Sequence, residues 1–251
     1  MNKVIVIPAR LDSSRLPKKV LLDLKGKTVL QRVYEQCLKV TDIDGVYIAT
    51  DSQEIQQACQ EFTNHVIMTK STHQSGTDRI AEAVKTLNCD VVINVQGDEP
   101  FIDPLLIEAL LESFENSEIL MSSAMSKITD SAELQNSNIV KVTVDSSYYA
   151  LYFSRSVIPF PRDFSEVFDS NEALKKQSFY RHIGIYGYRK DFLLKYIQMD
   201  QSYLEKVEKL EQLRGLENGY KIKMIETASG SIGIDTLEDY NEALKSMNND
   251  W

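Results

Sequence analysis

The sequence predicts an α/β protein with a mostly parallel sheet, helices on both faces and a smaller antiparallel insertion. Short apolar runs alternate with segments of helical periodicity from residue 1 to about 115, which indicates right-handed βαβ units. The run at residues 91–95 is apolar at nearly every position, as expected for a parallel strand buried on both faces. After residue 116 the rhythm changes, and alternating apolar and polar residues favour antiparallel strands.

Four strands and their connecting helices are predicted in the first part of the chain. Apolar runs place strands at residues 4–7, 45–50, 66–68 and 91–95. Thr28 is expected to cap the first amphipathic helix, and Asp51 to cap a helix that follows the second strand. A further helix begins near Thr77, and Pro104 suits the first turn of the helix after the fourth strand.

The second part of the chain predicts a hairpin, two later strands and two helices. Residues 139–144 and 148–153 alternate like antiparallel strands, and residues 145–147 form the turn between them. Strands are also predicted at 181–188 and 221–225, with one helix between them carrying Leu204, Val207, Leu210, Leu213 and Leu216. A last helix follows Asp235. With no linker or repeat, we expect one domain over 1–251, with a βαβ part to about 115 and a second part over about 116–251 that carries the nonparallel insertion.

Composition excludes several classes of function. The chain has 251 residues, 43% hydrophobic and 26% charged, with a formal net charge of -9. This acidic balance argues against a general nucleic-acid binder, and no apolar run approaches the roughly 20 residues that span a bilayer. The N-terminus lacks the pattern of a cleavable signal. Three cysteines without metal-ligand spacing predict reduced thiols and a cytoplasmic protein.

The fourth predicted strand ends at Gln96, Gly97 and Asp98. In open α/β sheets, ligands bind at the carboxyl ends of the strands, where the glycine permits a sharp turn. An aspartate there can hold Mg²⁺, which is usually bound by one or two carboxylates together with substrate phosphates. The alternative is a turn aspartate that caps the next helix, and this stretch alone leaves both open.

A basic loop follows the first strand, with the sequence Pro-Ala-Arg-Leu-Asp-Ser-Ser-Arg-Leu-Pro-Lys-Lys at residues 8–19. Its arginines, lysines, serines and backbone N–H groups suit phosphate oxygens, although it has neither the P-loop nor the dinucleotide spacing. The alternative is a solvated basic loop. Its position at the same sheet edge as Asp98 favours phosphate binding, because phosphoryl or nucleotidyl transfer needs both parts.

Six ordered motifs resemble those of one enzyme family and cover nearly the whole chain. The pattern Pro-Ala-Arg-x-x-Ser-Ser-Arg-Leu-Pro-x-Lys is similar to the signature of sugar nucleotidyltransferases. Segments 73–79, 94–100, 181–188, 210–214 and 233–236 resemble the successive motifs of the 3-deoxy-manno-octulosonate (Kdo) cytidylyltransferase family. The chain departs from the pattern at Lys18, where glycine is usual, and at Val20, where proline is usual.

The resemblance implies a Rossmann-like nucleotidyltransferase fold and the transfer of CMP from CTP to the anomeric hydroxyl of Kdo, for lipopolysaccharide synthesis. It implies Mg²⁺ as cofactor, held between Asp98 and Asp235, and a homodimer with the nonparallel segment at the interface. The catalytic residues would be Arg10, Lys19 and Asp98. The implied nucleotide-binding residues are Ala9, Arg10, Ser14, Arg15, Lys19, Ser75, Gly76 and Arg79.

The residues implied to contact the sugar acid are Gln96, Arg155, His182, Tyr186, Glu211 and Gln212, with Arg155 able to pair with the carboxylate. Structural alternatives exist for several sites. Asp235 also suits a helix cap, Gly76 a helix-entry turn, His182 a satisfied core position and Glu211 a solvated helix face.

The sequence leaves two alternative functions open. One keeps the chemistry and changes the sugar to 8-amino-Kdo or a nonulosonate. The other is a non-catalytic or oxidoreductase-like nucleotide-binding module, against which the missing GxGxxG motif counts.

Overall fold

The computed structural model describes residues 1–13, 15–162, 174, 178–228 and 233–249. These residues form two compact units. Unit 1 comprises the described residues of Met1–Glu112, Gly187–Ile197 and Ser231–Trp251, and unit 2 those of Ser113–Tyr186 and Gln198–Gly230. The first boundary lies close to the change of rhythm in the sequence. The assignment of all 251 residues to one domain stays a prediction.

The described elements follow one another in an alternating order through unit 1 and a mixed order through unit 2. They are β1 (Lys3–Ala9), α1 (Val29–Cys37), β2 (Gly45–Thr50), α2 (Gln53–Cys59), β3 (Val66–Met68), α3 (Gly76–Val84), β4 (Val91–Asn94), α4 (Pro104–Ser113), β5 (Met121–Lys127), α5 (Ser131–Gln135), β6 (Lys141–Val144), β7 (Ala150–Ser154), β8 (Tyr180–Arg189), α6 (Lys190–Tyr196), α7 (Tyr203–Glu208), α8 (Leu213–Glu217), β9 (Lys223–Thr227) and α9 (Leu237–Asn249).

The sheet of unit 1 is parallel, with strands β1 to β4 in the order β3-β2-β1-β4. All four were predicted from their apolar runs. Strand β4 is buried at each position, as its continuous apolar sequence requires. Since β1 and β4 are parallel neighbours, the basic loop after β1 and the Gln96–Asp98 turn after β4 leave the sheet at the same edge.

The helices of unit 1 test the predicted caps. Thr28 caps α1, because its Oγ1 accepts a hydrogen bond of 3.1 Å from the backbone N–H of Gln31. The prediction for Asp51 was wrong. Ser52 caps α2 by accepting from Ile55 N–H at 3.2 Å, whereas the Asp51 carboxylate pairs with the Arg79 guanidinium at 3.2 Å. A serine one position later was the better cap, which left Asp51 available for a long-range ion pair.

Unit 2 contains the predicted antiparallel strands. Strands β6 and β7 form a hairpin, and β6 also pairs with β8. Strand β5 pairs in parallel with β9 and neighbours β8. The sequence prediction missed β5, since its Met-Ser-Ser-Ala-Met-Ser-Lys sequence has three serines and no run of branched residues, yet Ser122, Ser123 and Ser126 are buried. The predicted α/β class with a mostly parallel sheet and an antiparallel part is confirmed.

The single helix predicted between β8 and β9 was wrong. Two short helices, α7 and α8, are separated at Lys209, whose φ of 56° is in the left-handed region and ends α7. Leu210 and Leu213 are buried, but Val207 is 61% exposed, so the leucine periodicity did not mark one continuous apolar face. Strand β9 also begins two residues later than predicted.

Two expectations from composition can be compared with the structure. The three cysteines, Cys37, Cys59 and Cys89, are buried and free. In the part of the chain that the structure describes, every helix is too short or too polar to cross a membrane.

Candidate active site

The edge of the unit 1 sheet where β1 and β4 end holds a cavity of about 160 Å³. It collects residues from the basic loop, from the turn after β4 and from the segment before α9. Its lining residues are Pro8, Arg10, Ser13, Arg15, Lys19, Val20, Gln96, Gly97, Asp98 and Asp235. Patterning predicted that the basic loop and Asp98 share one sheet edge, and the family resemblance implied that Asp235 joins Asp98; the structure brings all three together.

Gly97 allows the loop and the turn to approach this closely. A Cβ atom at residue 97 would lie 2.9 Å from the carbonyl oxygen of Pro8, a distance that real Cβ atoms do not tolerate. The glycine is therefore required by backbone approach between the ends of β1 and β4.

The basic loop reaches the cavity through a left-handed turn at Lys18, with φ of 55°. Glycine is favoured in this conformation, so the loop keeps a path typical of glycine although a lysine stands there. The Lys18 ammonium points to Glu54, with Nζ–Oε distances of 2.7 and 2.8 Å. A 3₁₀ turn at Lys19–Leu21 then directs Lys19 into the cavity.

The Lys19 ammonium lies between the two predicted metal-binding carboxylates. Its Nζ atom donates to Asp98 Oδ2 and, at 2.6 Å, to Asp235 Oδ1. Arg15 Nη2 donates to the other oxygen of Asp235 at 2.9 Å. Lys19 and Arg15 of the loop thus contact two carboxylates that are far apart in the sequence.

The ion pairs shift the pKa values of Lys19 and Asp235. Burial acts to lower the pKa of Lys19, but the charges and hydrogen bonds of Asp98 and Asp235 outweigh it and leave that pKa raised. For Asp235, burial acts to raise the pKa, and the hydrogen bonds and charges of Lys19 and Arg15 hold it below its usual value. Lys19 is therefore positive and Asp235 negative at neutral pH.

The donor set fits Mg²⁺. Asp98 and Asp235 already direct carboxylate oxygens at one cationic group, and two carboxylates completed by substrate phosphates are the usual protein contribution to a magnesium site. Among the described residues there is no cluster of three or more acidic, histidine or cysteine side chains that would form a complete metal cage.

Neither Asp98 nor Asp235 acts as the helix cap that the sequence offered as its alternative role. The segment leading into α4 is capped by Asp103, which accepts from Leu105 N–H at 3.0 Å, while Asp98 contacts Lys19. Before α9, Thr236 Oγ1 accepts from Asp239 N–H at 3.2 Å, and Asp239 accepts from Thr236 N–H at 2.8 Å. Thr236 therefore caps the helix, which leaves the Asp235 carboxylate in the cavity.

A second cavity of about 90 Å³ adjoins the same loop. It contains the remaining described residues of the implied nucleotide site and is lined by Pro8, Ala9, Arg10, His73, Ser75, Gly76, Arg79 and Gln96. Arg10 and Gln96 line both cavities. Gln96 was assigned to the sugar acid, and the structure places it with the residues assigned to the nucleotide. Ser14 lies outside the described residues.

The helix entry at residues 75–78 shapes this second cavity. Ser75 and Asp78 form a reciprocal capping box, in which Ser75 Oγ accepts from Asp78 N–H at 3.1 Å. A Cβ atom on Gly76 would lie 3.3 Å from the ring of Pro8. Gly76 therefore serves both as the first residue of α3 and as part of the cavity wall.

Arg79 is buried and anchored within the protein. Its Nη1 donates to Thr69 Oγ1 at 2.6 Å, and its Nη2 lies 3.2 Å from Asp51. Neither partner is predictable from the sequence, because neither long-range pairing leaves a local pattern. The His73 ring, which lines the same cavity, is likewise anchored within the protein, by the Glu82 carboxylate.

In unit 2, three residues assigned to the sugar acid lie near one another: His182, Tyr186 and Glu211. The His182 ring lies edge-on to Phe153, with centroids 5.0 Å apart, and 5.5 Å from the ring of Tyr186. Burial lowers the pKa of His182 to about 3. Burial, and then the charge of Glu211, raises the pKa of Tyr186. At neutral pH, His182 is uncharged and Tyr186 keeps its phenolic proton.

Gln212 and Arg155 have different surroundings. Gln212 is 3% exposed, and its Nε2 atom has no hydrogen-bonding partner among the described residues. Such a buried donor is available for a ligand oxygen. Arg155 Nε donates to the Glu208 carbonyl at 2.9 Å, and its Nη1 to the Ser137 carbonyl at 3.2 Å. No sequence motif pointed to Glu208 as an anchor of Arg155.

The neutral state of His182 predicts a pH dependence of stability. Its pKa is about 3 in the folded chain and 6.5 ordinarily, so the unfolded chain binds more protons between these values. Stability is therefore retained above the ordinary pKa and lost as pH falls below it. From about pH 7.5 to about pH 5, the wild type should lose up to about 2 kcal/mol more than His182→Gln. Urea unfolding of both proteins checks this; equal losses would contradict it.

A buried ion pair supports the segment that carries Glu211 and Gln212. The Arg214 guanidinium binds both oxygens of Glu205, at 2.9 and 2.6 Å, and the two side chains are 10% and 7% exposed. Arg214→Ala should lower the free energy of unfolding by about 3 kcal/mol, because it leaves a buried carboxylate unpaired. Denaturant unfolding measures this. Lys27→Ala, which breaks the more exposed pair with Glu35, should cost less than about 1 kcal/mol.

A parallel sheet whose first loop is cationic, with one carboxylate in the turn after β4 and a second before α9 in the same cavity, has the features expected of the nucleotidyltransferase class. Comparison with known proteins narrows the class. The family model described as cytidylyltransferase matches residues 4–222, and the chain belongs to this family.

Relatives similar to nearly the whole chain include several named 3-deoxy-manno-octulosonate cytidylyltransferase. The protein from Francisella tularensis subsp. holarctica is 49% identical over 98% of this chain and 99% of its own. That from Geobacter sulfurreducens is 43% identical over 98% of this chain and 100% of its own. The family expected from the six motifs is confirmed.

Solved structures agree with this membership. CMP:2-keto-3-deoxy-manno-octonic acid synthetase, solved in complex with CTP, is 40% identical, covers 100% of both chains and gives a TM-score of 0.92. A 4-diphosphocytidyl-2C-methyl-D-erythritol synthase from Anaerococcus prevotii is 16% identical, covers 98% of this chain and 96% of its own, and gives a TM-score of 0.63. The second likeness shows a shared fold.

Proposed function

We propose that this protein transfers CMP from CTP to the anomeric hydroxyl of Kdo, releasing pyrophosphate, and that CMP-Kdo then serves lipopolysaccharide synthesis. The observation that carries the proposal is 42–49% identity, over 98% of the chain, to relatives named for this activity. The CTP complex of the structural neighbour supports the choice of nucleotide.

In the proposed reaction, the anomeric oxygen of Kdo bonds to the α-phosphorus of CTP. The bond between that phosphorus and the bridging oxygen to the β-phosphate breaks, pyrophosphate leaves, and the hydroxyl proton is released. Such a transfer depends on positioning and on neutralising charge rather than on covalent intermediates with the protein.

Arg10 and Lys19 are the residues that would hold the triphosphate and the departing pyrophosphate, with Arg15 assisting. All three line the cavity at the sheet edge, and Lys19 is kept protonated there. Ala9, Ser75, Gly76 and Arg79 line the neighbouring cavity, which suits the nucleoside part of CTP. Because α3 begins at Gly76 and the Asp78 N–H is bonded to Ser75 Oγ, the backbone N–H groups of Gly76 and Thr77 are the ones proposed to face a ligand in that cavity.

Mg²⁺ is the proposed cofactor, with Asp98 and Asp235 as its protein ligands. When bound, it would supply charge neutralisation to the phosphate oxygens. The support for these ligands is that the two carboxylates already converge on a single positive charge.

The residues of unit 2 that are proposed to contact the sugar acid are Arg155, His182, Tyr186, Glu211 and Gln212. Neutral His182, protonated Tyr186 and the unpaired Gln212 amide suit hydroxyl groups. Arg155 is the cation proposed to pair with the carboxylate.

The protein is further proposed to be a cytoplasmic homodimer. The β6–β7 hairpin exposes Tyr148 at 41% and Leu151 at 62%, and apolar side chains of this kind are suited to a subunit interface. Analytical ultracentrifugation of wild type and Leu151→Glu tests this: a monomeric wild type would refute the dimer.

The activity is tested by pyrophosphate release with CTP and Mg²⁺ in the presence of Kdo, 8-amino-Kdo or a nonulosonate. We expect release with Kdo at the highest kcat/KM; a preference for another acid would change the assigned substrate. A melting experiment tests the ligand class separately. CTP with Mg²⁺ should raise Tm and NAD should not, while protection by NAD alone would refute a cytidylyltransferase.

A further inference from the structure

Ser123 on β5 makes the hydrogen bond that holds the His182 ring. The serine is fully buried, and its Oγ atom lies 2.9 Å from His182 Nε2. Two backbone carbonyl oxygens are also near the hydroxyl, that of Ile185 at 2.8 Å and that of Ile183 at 3.4 Å. The motifs of the sequence did not include this residue.

The single hydroxyl proton decides the direction of these hydrogen bonds. A serine hydroxyl has one proton to donate, and a carbonyl oxygen can only accept. If that proton pointed to His182, Ser123 Oγ and Ile185 O would face each other at 2.8 Å with no proton between them. The proton therefore points to Ile185, and His182 must donate its Nε2–H to the serine.

Neutral imidazole carries one ring proton, so the other nitrogen, Nδ1, is an acceptor. Among the described residues, His182 Nδ1 has no hydrogen-bonding partner. The ring is packed by Phe153 and Tyr186, and burial keeps it uncharged, with a pKa of about 3. The ring thus presents one directed lone pair.

We propose that Ser123 is a positioning residue that fixes His182 as the Nε2–H tautomer, so that Nδ1 accepts a hydrogen bond from a hydroxyl group of the sugar acid. This inference rests on the proposed function for the identity of the ligand. A lone pair repels a carboxylate oxygen, so His182 is assigned to a hydroxyl group and the carboxylate to a cation such as Arg155.

The tautomer is measured without substrate, by long-range ¹H–¹⁵N correlation NMR of the ¹⁵N-labelled protein. The chain has three histidines, and loss of one set of signals in His182→Gln assigns His182. We expect a protonated Nε2 and an unprotonated Nδ1. In Ser123→Ala, the two nitrogen shifts should move towards each other as both tautomers become populated, and the Nε2–H signal should be lost.

Ser122 provides a matched control. It is fully buried on the same strand, but its hydroxyl has no hydrogen-bonding partner among the described residues. Ser122→Ala should leave the His182 signals unchanged, and Ser123→Thr, which keeps the hydroxyl, should preserve the wild-type tautomer. A wild-type spectrum with Nδ1 protonated would overturn the proposal, as would a Ser123→Ala spectrum equal to wild type. If Ser123→Ala does not fold, the wild-type and Ser123→Thr spectra decide.

Kinetics supply the functional test. Loss of one oriented hydrogen bond should raise KM for Kdo by up to about tenfold in Ser123→Ala, with KM for CTP unchanged. Equal increases in both constants would refute a role limited to the sugar. The two proposals fail separately: an inactive wild type would refute the proposed function, whereas the NMR result decides the tautomer without any substrate.

Discussion

Asp98→Ala is expected to abolish measurable turnover, with kcat reduced by about a thousandfold or more. Asp98 is the carboxylate at the end of β4 that contacts Lys19, and it is proposed to hold Mg²⁺ with Asp235. Its removal takes away one of the two proposed metal ligands and one of two anchors of the Lys19 ammonium. Initial rates of pyrophosphate release, with CTP and Kdo saturating, measure the loss across a range of Mg²⁺ concentrations.

One further ligand variant and one control variant test whether the loss of turnover is specific to the proposed metal site. Asp235→Ala should reduce turnover in the same direction, since it removes the other proposed ligand. Asp42→Asn is the matched control, because this exposed carboxylate also pairs with a lysine, Lys3, but lies outside both cavities. Rates like those of the wild type in both Asp98→Ala and Asp235→Ala at saturating Mg²⁺ would refute the metal assignment.

Lys19→Ala should reduce kcat by about a hundred- to a thousandfold, because it removes a fixed positive charge from the cavity in which the departing pyrophosphate is proposed to gain negative charge. The ammonium is 14% exposed and protonated at neutral pH, so its effect is little screened by solvent. Single-turnover rates with CTP and Kdo measure the chemical step directly.

Lys18→Ala is the control for this variant. Lys18 precedes Lys19 in the same loop, but its ammonium is 57% exposed and pairs with Glu54, so its removal should change kcat by less than about threefold. Circular dichroism would establish that both variants are folded. An equal loss of rate in the two lysine variants would point to disruption of the loop, and an unchanged rate in Lys19→Ala would remove it from the mechanism.

Much of unit 1 was predictable because its signals are local. Each strand of its sheet is a short apolar run, and a parallel βαβ order places the ends of β1 and β4 at one edge. The meeting of the basic loop with Asp98 therefore followed from patterning. The arrival of Asp235 did not, because no local pattern relates it to Asp98, and it was expected only from the resemblance to a family.

The failures share a physical cause, which is competition between local signals and tertiary contacts. Asp51 suits a cap by composition, but its pairing with buried Arg79 depends on a helix that begins 25 residues later, at Gly76. The leucine spacing at 204–216 continues through Lys209, where the backbone turns left-handed. Strand β5 carries Ser123, which is buried and hydrogen-bonded to His182, and no local pattern of the strand indicates that distant partner.

Because the Lys19 ammonium lies between Asp98 and Asp235, the repulsion between these two carboxylates is compensated in the folded chain before any ligand binds. Two anionic side chains held together without a cation repel each other, and the repulsion grows as water is excluded. Here the chain supplies its own counterion, so the assembly of like charges is completed during folding. A ligand that binds here meets two acidic groups already in place, and a metal ion proposed for them would have to share their oxygens with the Lys19 ammonium or displace it.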